Sequence, residues 1–298
     1  MSDGSIIIDS KIDSKQLEKD LKDIQSKIKS AGDNIKKIGS DLTKHVTLPI
    51  VGLGGLALAA ANDIDKAYKT IQIGTGATGK DLEALHGVFD DLFTQVPQGA
   101  DEVASAISNL NTLTGATDQI LQDLTKSVLD ASRMLGEDGV GASEAYGKAM
   151  NQWQIPVEEG VGHLDHLMKL TQDFGVSLTG LSSQLTAYGP IMKNAGFEMN
   201  EAAHFMAILE SNGISVSRVM PALNQSFRNW AAEGKDSRKE FEKVIKTIEK
   251  TEDSQKALAL ATEVFGAQGA QRLMTAIRNG VIPSFEDLGG MFDESSGL

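Results

Sequence analysis

Three stretches of the sequence pair residue types that could do chemistry. Gly74-Thr75-Gly76-Ala77-Thr78-Gly79-Lys80-Asp81 reads as G-x-G-x-x-G and falls one residue short of G-x-x-x-x-G-K-[ST]. Both patterns hold a phosphate only where a buried strand precedes the glycines and a helix follows, so that backbone N–H groups converge on the anion. The second also needs a hydroxyl for magnesium where this chain has Asp81, a carboxylate that would repel a nucleotide. Before the glycines, Asn62 to Ile73 carry Ile64, Ala67, Tyr68 and Ile71 on one helical face. The expectation is a helix-to-helix turn, with Asp81 set against the positive end of the following helix.

His163 and His166 fall on one face of a helix, as in a metal site, but a catalytic zinc needs a third ligand and the nearest candidate is the distant His204. The serines of Gly141-Ala142-Ser143-Glu144-Ala145 and Gly213-Ile214-Ser215-Val216-Ser217 lack the closing glycine of a nucleophile elbow. Acidic residues are scattered on presumed solvent faces, and Trp153 and Trp230 read as core or interface anchors. The sequence therefore assigns no catalytic, cofactor-binding or metal-ligating residue, and no cofactor. A nucleotide- or metal-dependent enzyme is the minor alternative.

The elements around these motifs are helical. Aromatic residues are only 5% of the chain, so alanine, leucine and isoleucine do most of the packing, which favours helix on helix. Apolar periodicity predicts helices over Asn62–Ile73, Lys80–Phe93, Ala100–Thr112, Thr117–Leu135, Ser143–Gln152 and Glu158–Phe174. Further ones are expected over Leu178–Ala195, Asn200–Ser211, Ser217–Ala232, Asp236–Lys250, Ser254–Phe265 and Ala267–Arg278. Corners at Gly175, Gly196 and Gly213 share a pattern: a left-handed glycine, an apolar residue, and a Thr179, Asn200 or Ser217 able to cap the next helix. TGAT occurs at Thr75–Thr78 and again at Thr114–Thr117, but the spacings of the corners differ too much for a solenoid to be expected.

The N-terminus is different. Leu17, Leu21, Ile24, Ile28, Ala31, Ile35 and Ile38 alternate spacings of four and three, a coiled-coil seam that a partner helix would cover, so self-association through it is expected. Val46–Ala61 is uncharged, shorter than the roughly 20 residues that span a bilayer, and interrupted by Pro49 and glycines. It reads as a packing helix, with membrane contact as the sharper alternative. Residues 1–45 hold nine lysines against eight acids, whereas the whole chain has net charge −13. So acidic a body repels phosphate backbones, so no specific nucleic-acid binding is expected. The absence of cysteine and the acids in MSDGSIIIDSKID, where a secretory signal needs basic residues, point to folding in a reducing cytoplasm.

The order of segments from Lys44 onward resembles the phage tail tape measure proteins of the lactococcal-phage type. The stretches that carry it are KHVTLPIVGLGGLALAAANDIDKAYKTI, GTGATGKDLEALHGVFDDL, ADEVASAISNLNTLTGATDQIL, YGPIMKNAGFEMNEAAHFMAILESNGISVSRVMPALNQSFRNW and ATEVFGAQGAQRLMTAIRNG. The resemblance implies an all-α fold: an N-terminal coiled-coil-prone helix followed by a compact multi-helix domain of short helices. It implies a structural protein that helps set tail length and scaffold tail tube assembly, with tail assembly chaperones, tail tube and tail tip proteins as partners. Such a protein would be made in the host cytoplasm and then occupy the virion tail lumen. A membrane-active role in DNA ejection is the alternative function. The expected divisions are a heptad segment 1–45, an apolar small-residue helix 46–61, a helical tape-measure-type domain 62–290 and the start of a downstream region at 291–298. A ruler needs a long extended helix, and even a fully helical chain of 298 residues spans only about 450 Å. The chain is therefore expected to be the N-terminal part of a longer product, or a prophage remnant.

Overall fold

The computed structural model describes the backbone of residues 54–282 and the side chains of residues 62–282. The heptad seam, the first part of the apolar stretch and residues 291–298 lie outside the described residues. By internal contacts the chain divides into Met1–Asn62 and Asp63–Leu298. The described residues form twelve α-helices and no strand. They are α1 (Gly54–Thr75), α2 (Gly79–Phe93), α3 (Ala100–Thr114), α4 (Asp118–Leu135), α5 (Gly139–Trp153) and α6 (Gly160–Phe174), the last entered through a 3₁₀ turn at Val157–Glu159. There follow α7 (Leu178–Asn194), α8 (Met199–Ser211), α9 (Val216–Ala232), α10 (Ser237–Lys250), α11 (Ser254–Phe265) and α12 (Ala267–Arg278).

The helix starts reveal a repeat. Successive odd-numbered helices from α3 begin at 100, 139, 178, 216 and 254, and even-numbered ones from α2 at 79, 118, 160, 199 and 237. Each pair of helices is thus a unit of about 39 residues. Odd helices α3, α5 and α7 pack side by side as one layer, and α2, α4, α6 and α8 as the other. This is the stacking of an α-helical repeat array, in which each hairpin buries its apolar stripe against its neighbours. The expectation of no solenoid is corrected. Consecutive corners such as 175, 196 and 213 alternate between layers, so only every second corner shows the period: Gly76 to Gly115, Gly136 to Gly175, Gly175 to Gly213. The two TGAT strings lie one unit apart and form the same stop. In each, a threonine hydroxyl donates to a carbonyl four residues back (Thr75 to Ile71, 2.7 Å; Thr114 to Leu110, 2.6 Å) and the glycine is left-handed.

Small residues set the spacing of the odd layer. A Cβ on Gly74 would lie 2.8 Å from Ser108 Cβ, one on Gly147 3.0 Å from Leu113 Cδ1, and one on Gly189 2.8 Å from Trp153 Nε1. Close approach lets side chains reach the orphan carbonyls at the end of the preceding odd helix. Thr112 Oγ1 donates to Gly74 O (3.2 Å), Asn151 Nδ2 to Leu113 O (2.7 Å) and Lys193 Nζ to Trp153 O (2.9 Å). Lysine at the last site also meets the negative end of the α5 dipole.

The array closes on α8, which is apolar nearly all round and buried along Met199–Leu209 except for Asn200 and His204. Beyond it α9 to α12 build a second focus of the core around Phe241, whose ring meets Phe197, Phe205, Phe227 and Phe265 at centroid distances of 5.5 to 6.0 Å. Edge-on contacts of this kind add to plain area burial. The N-caps sit two residues before the ones expected. Ser177 Oγ accepts from Gly180 N, Glu198 forms a reciprocal box with Glu201, and Ser215 is the third cap position. Leu178, Met199 and Val216, which follow these caps, are the first buried residues of each helix.

Candidate functional site

The glycine-rich stretch ends α1 and starts α2. Gly76 and Gly79 are left-handed (φ +69° and +59°), and the element ahead of them is helix. The turn and its TGAT counterpart face a common cleft of about 470 Å³ lined by Thr75, Gly76, Asn111 and Thr117, with Asp81 and Asp118 on its wall. Two carboxylates in so small a cleft oppose phosphate, and the strand that would aim amides at one is replaced by α1.

The histidines fare differently. Because α6 and α8 are neighbours in the even layer, His163, His166 and His204 gather on one seam. His163 Nδ1 lies 2.8 Å from Asn200 Oδ1, and His204 stands edge-on to Phe174 with centroids 5.3 Å apart. Burial pushes His166 down to about 4, helped by the neighbouring His204, while a hydrogen bond to the Asn200 backbone opposes the shift. Burial also lowers His204, against the pull of Asp173. Both rings are thereby held neutral at pH 7. Among the described residues no group of three or more His, Cys, Asp or Glu has the geometry to hold a metal ion.

Ser143 is fully buried: its hydroxyl donates to Val140 O (2.7 Å) and accepts from Asn109 Nδ2 (3.0 Å), a bridge between α5 and α3. Ser215 and Ser217 pair with each other at 2.9 Å. Trp153 is buried with its indole N–H donating to Leu185 O at 3.0 Å, so it anchors α5 to α7. Trp230 packs half-buried on Phe227.

Other polar groups on these seams were invisible in the sequence, because their partners lie about 20 to 40 residues away. Glu137, just ahead of α5, receives the amides of Leu178 (2.7 Å) and Thr179 (2.9 Å) and the Ser177 hydroxyl (3.2 Å), binding the start of α7. Burial alone would raise its pKa, but these hydrogen bonds outweigh it and hold it below the usual range. Glu201, buried at the start of α8, pairs with Arg238 of α10. Tyr68 donates to Asp90 Oδ1 (2.7 Å) and stacks on His86 at 4.0 Å, joining α1 to α2. Burial raises Tyr68 and Asp90 and lowers His86, and the Asp90 hydrogen bond raises Tyr68 further. What these groups do chemically is hold helix to helix.

In a chain of this architecture, buried polar side chains such as Ser143 and Glu201 join helix to helix, as suits a structural protein, and sequence comparison gives the family. Residues 89–290 match the profile of the phage-related minor tail protein family, and the chain belongs to that family. A relative is the tape measure protein of Pneumococcus phage Dp-1, 24% identical over 194 residues. The alignment covers 65% of this chain and only 17% of that much longer protein. Both findings agree with the resemblance to tape measure proteins. No solved structure matches.

Proposed function

We propose that this chain is the N-terminal part of a tape measure protein, a structural component of the phage tail that helps set tail length and scaffold tail tube assembly. The observation that carries the proposal is the family match over an array of helical units whose buried polar side chains bind one unit to the next. Tail assembly chaperones, tail tube and tail tip proteins are the partners this reading implies, with further self-association through the heptad seam at Leu17–Ile38. Assembly would take place in the host cytoplasm and the finished protein would lie in the tail lumen. No catalytic, cofactor-binding or metal-ligating residue has a part in this role. Among the described residues no helix is long and apolar enough to cross a membrane.

The test is genetic and visual. Removing the gene from the phage that encodes this chain, and supplying it again in trans, is followed by electron microscopy of the tails. The expected result is missing tails or tails of uncontrolled length, restored by the intact gene. Tails of normal length without it would overturn the proposal.

A further inference from the structure

The charge of the array is polarised along its length. Residues 63–175, from α1 to α6, hold 18 acidic against 7 basic residues, a net of −11. Residues 216–282, the helices α9 to α12, hold 8 acidic against 11 basic residues, a net of +3. The positive end has its focus on α10. Lys239, Lys243, Lys246 and Lys250 follow at i, i+4, i+7 and i+11, which is one face of a helix, and span about 16 Å. Phe241, Val244, Ile245 and Ile248 bury the opposite face. The open trough among the lysine stems, about 490 Å³, is lined by residues of α10 and the adjoining Thr251 alone, so no other described helix covers it. One carboxylate, Glu242, stands within this comb. Lys239 and Lys243 reach Asp236 and Glu240 at 3.9 and 3.6 Å, loose pairs whose ammonium groups are open to solvent and which contribute little.

We propose that this lysine face docks on the acidic first units of a second copy of the chain, head to tail. The complementary face is built by α2 and α4, neighbours in the even layer. Asp81, Glu83 and Asp91 of α2 and Asp118 and Asp123 of α4 are all exposed. The cations of these two helices do not cancel them. Lys126 and Arg133 both turn to Asp130 (2.7 and 3.4 Å), which leaves Lys80 against five carboxylates. Charge complementarity of this kind fixes register and speeds encounter. Each copy is negative overall, but at physiological salt the field of a surface charge fades over about 8 Å, so the groups brought face to face decide the contact. A phosphate backbone suits the comb less well. Its unbroken negative charge would meet Glu242 within the face and Glu240 and Glu249 on its flanks, whereas a protein surface offers separate carboxylates to set against the ammonium groups. Because the two faces lie on different helices, the contact is heterologous, and each copy keeps one face for the next. It is separate from the heptad seam and does not rest on the role proposed for the chain in the tail.

The test is sedimentation velocity of the full chain at about 0.05 and about 0.5 M NaCl, with two variants changed only at exposed residues. Lys243→Glu with Lys250→Glu reverses the basic face, and Glu83→Lys with Asp123→Lys reverses the acidic one. The natural chain is expected to associate severalfold more strongly at low salt than at high salt. Apolar association through the heptad seam persists at both and sets the baseline. Each double variant alone should lose the salt-sensitive part, and an equimolar mixture of the two should regain it, since each supplies the face that the other lacks. Recovery in the mixture also shows that neither variant lost association by misfolding. Association of the natural chain that is the same at both salts overturns the proposal, as does a salt-sensitive part that survives both reversals or is not restored on mixing. Binding of a labelled DNA duplex at low salt, lost on Lys243→Glu with Lys250→Glu while the natural copies stay apart, also overturns it by making a polyanion the occupant.

Discussion

Acidification should weaken the fold through the α6–α8 seam, and His166 permits a number. Its pKa in the folded protein is about 4, against 6.5 for the ordinary side chain. A lowered histidine pKa means that the fold favours the neutral ring. The stabilisation is therefore complete above about pH 6.5 and is lost progressively as pH falls from there through 4, because the unfolded chain takes up the proton first. Linkage over pH 7.5 to 5.0 gives a loss of about 2 kcal/mol from this group, and solvent reaching the partly exposed ring reduces it to between about 1 and 2 kcal/mol. His204, shifted in the same direction, adds to it. Urea unfolding of the natural chain and of His166→Gln at both pH values isolates the term, since carboxylates titrate alike in both proteins. The natural chain should lose about 1 to 2 kcal/mol more than the variant. Equal losses would refute the seam as the cause.

Further expectations follow from the contacts between units. Gly189→Val drives a side chain into Trp153 and should destabilise by about 1 to 3 kcal/mol, seen as a lower Tm, whereas Gly162→Ala, exposed in α6 with open space around it, should hold Tm or raise it by up to the equivalent of about 1 kcal/mol. Glu137→Ala removes the acceptor for two α7 amides and should cost about 1 to 3 kcal/mol in urea unfolding at pH 7. That penalty should shrink as pH falls through the lowered pKa of Glu137, where protonation weakens the natural contact too. Arg238→Met leaves the Glu201 carboxylate buried without its ion-pair partner and should cost about 2 to 4 kcal/mol, partly recovered by the further change Glu201→Gln.

Helix positions were legible because each helix carries its own signal. In α10, Phe241, Val244, Ile245 and Ile248 face inward while charges alternate outside, and both ends of α11 and α12 follow from local punctuation. The start of α5 was placed four residues late, since Gly139 and Gly141 argue against helix locally. Gly139 is nonetheless helical because it is buried against Leu129, where a side chain would clash, and Asp138 caps Gly141 N at 2.7 Å. The repeat was hidden for a related reason. Its register lies in glycines that tolerate close packing and in carbonyls capped from the next odd helix, and neither leaves a shared string beyond TGAT. The histidine seam could be suspected from His163 and His166, but the approach of His204 depends on which helices are neighbours. No local pattern announces Glu137 as the binder of α7, because its partners are the backbone amides of another unit.

The side chains that cap the carbonyl ends of the first three odd helices all come from the next odd helix: Thr112 serves α1, Asn151 serves α3 and Lys193 serves α5. Each of these three helices is thus finished by the next odd helix, so a chain emerging from the ribosome completes those ends one unit late. At these three joints the array has a grain, each end covered from one side like a shingle in a row.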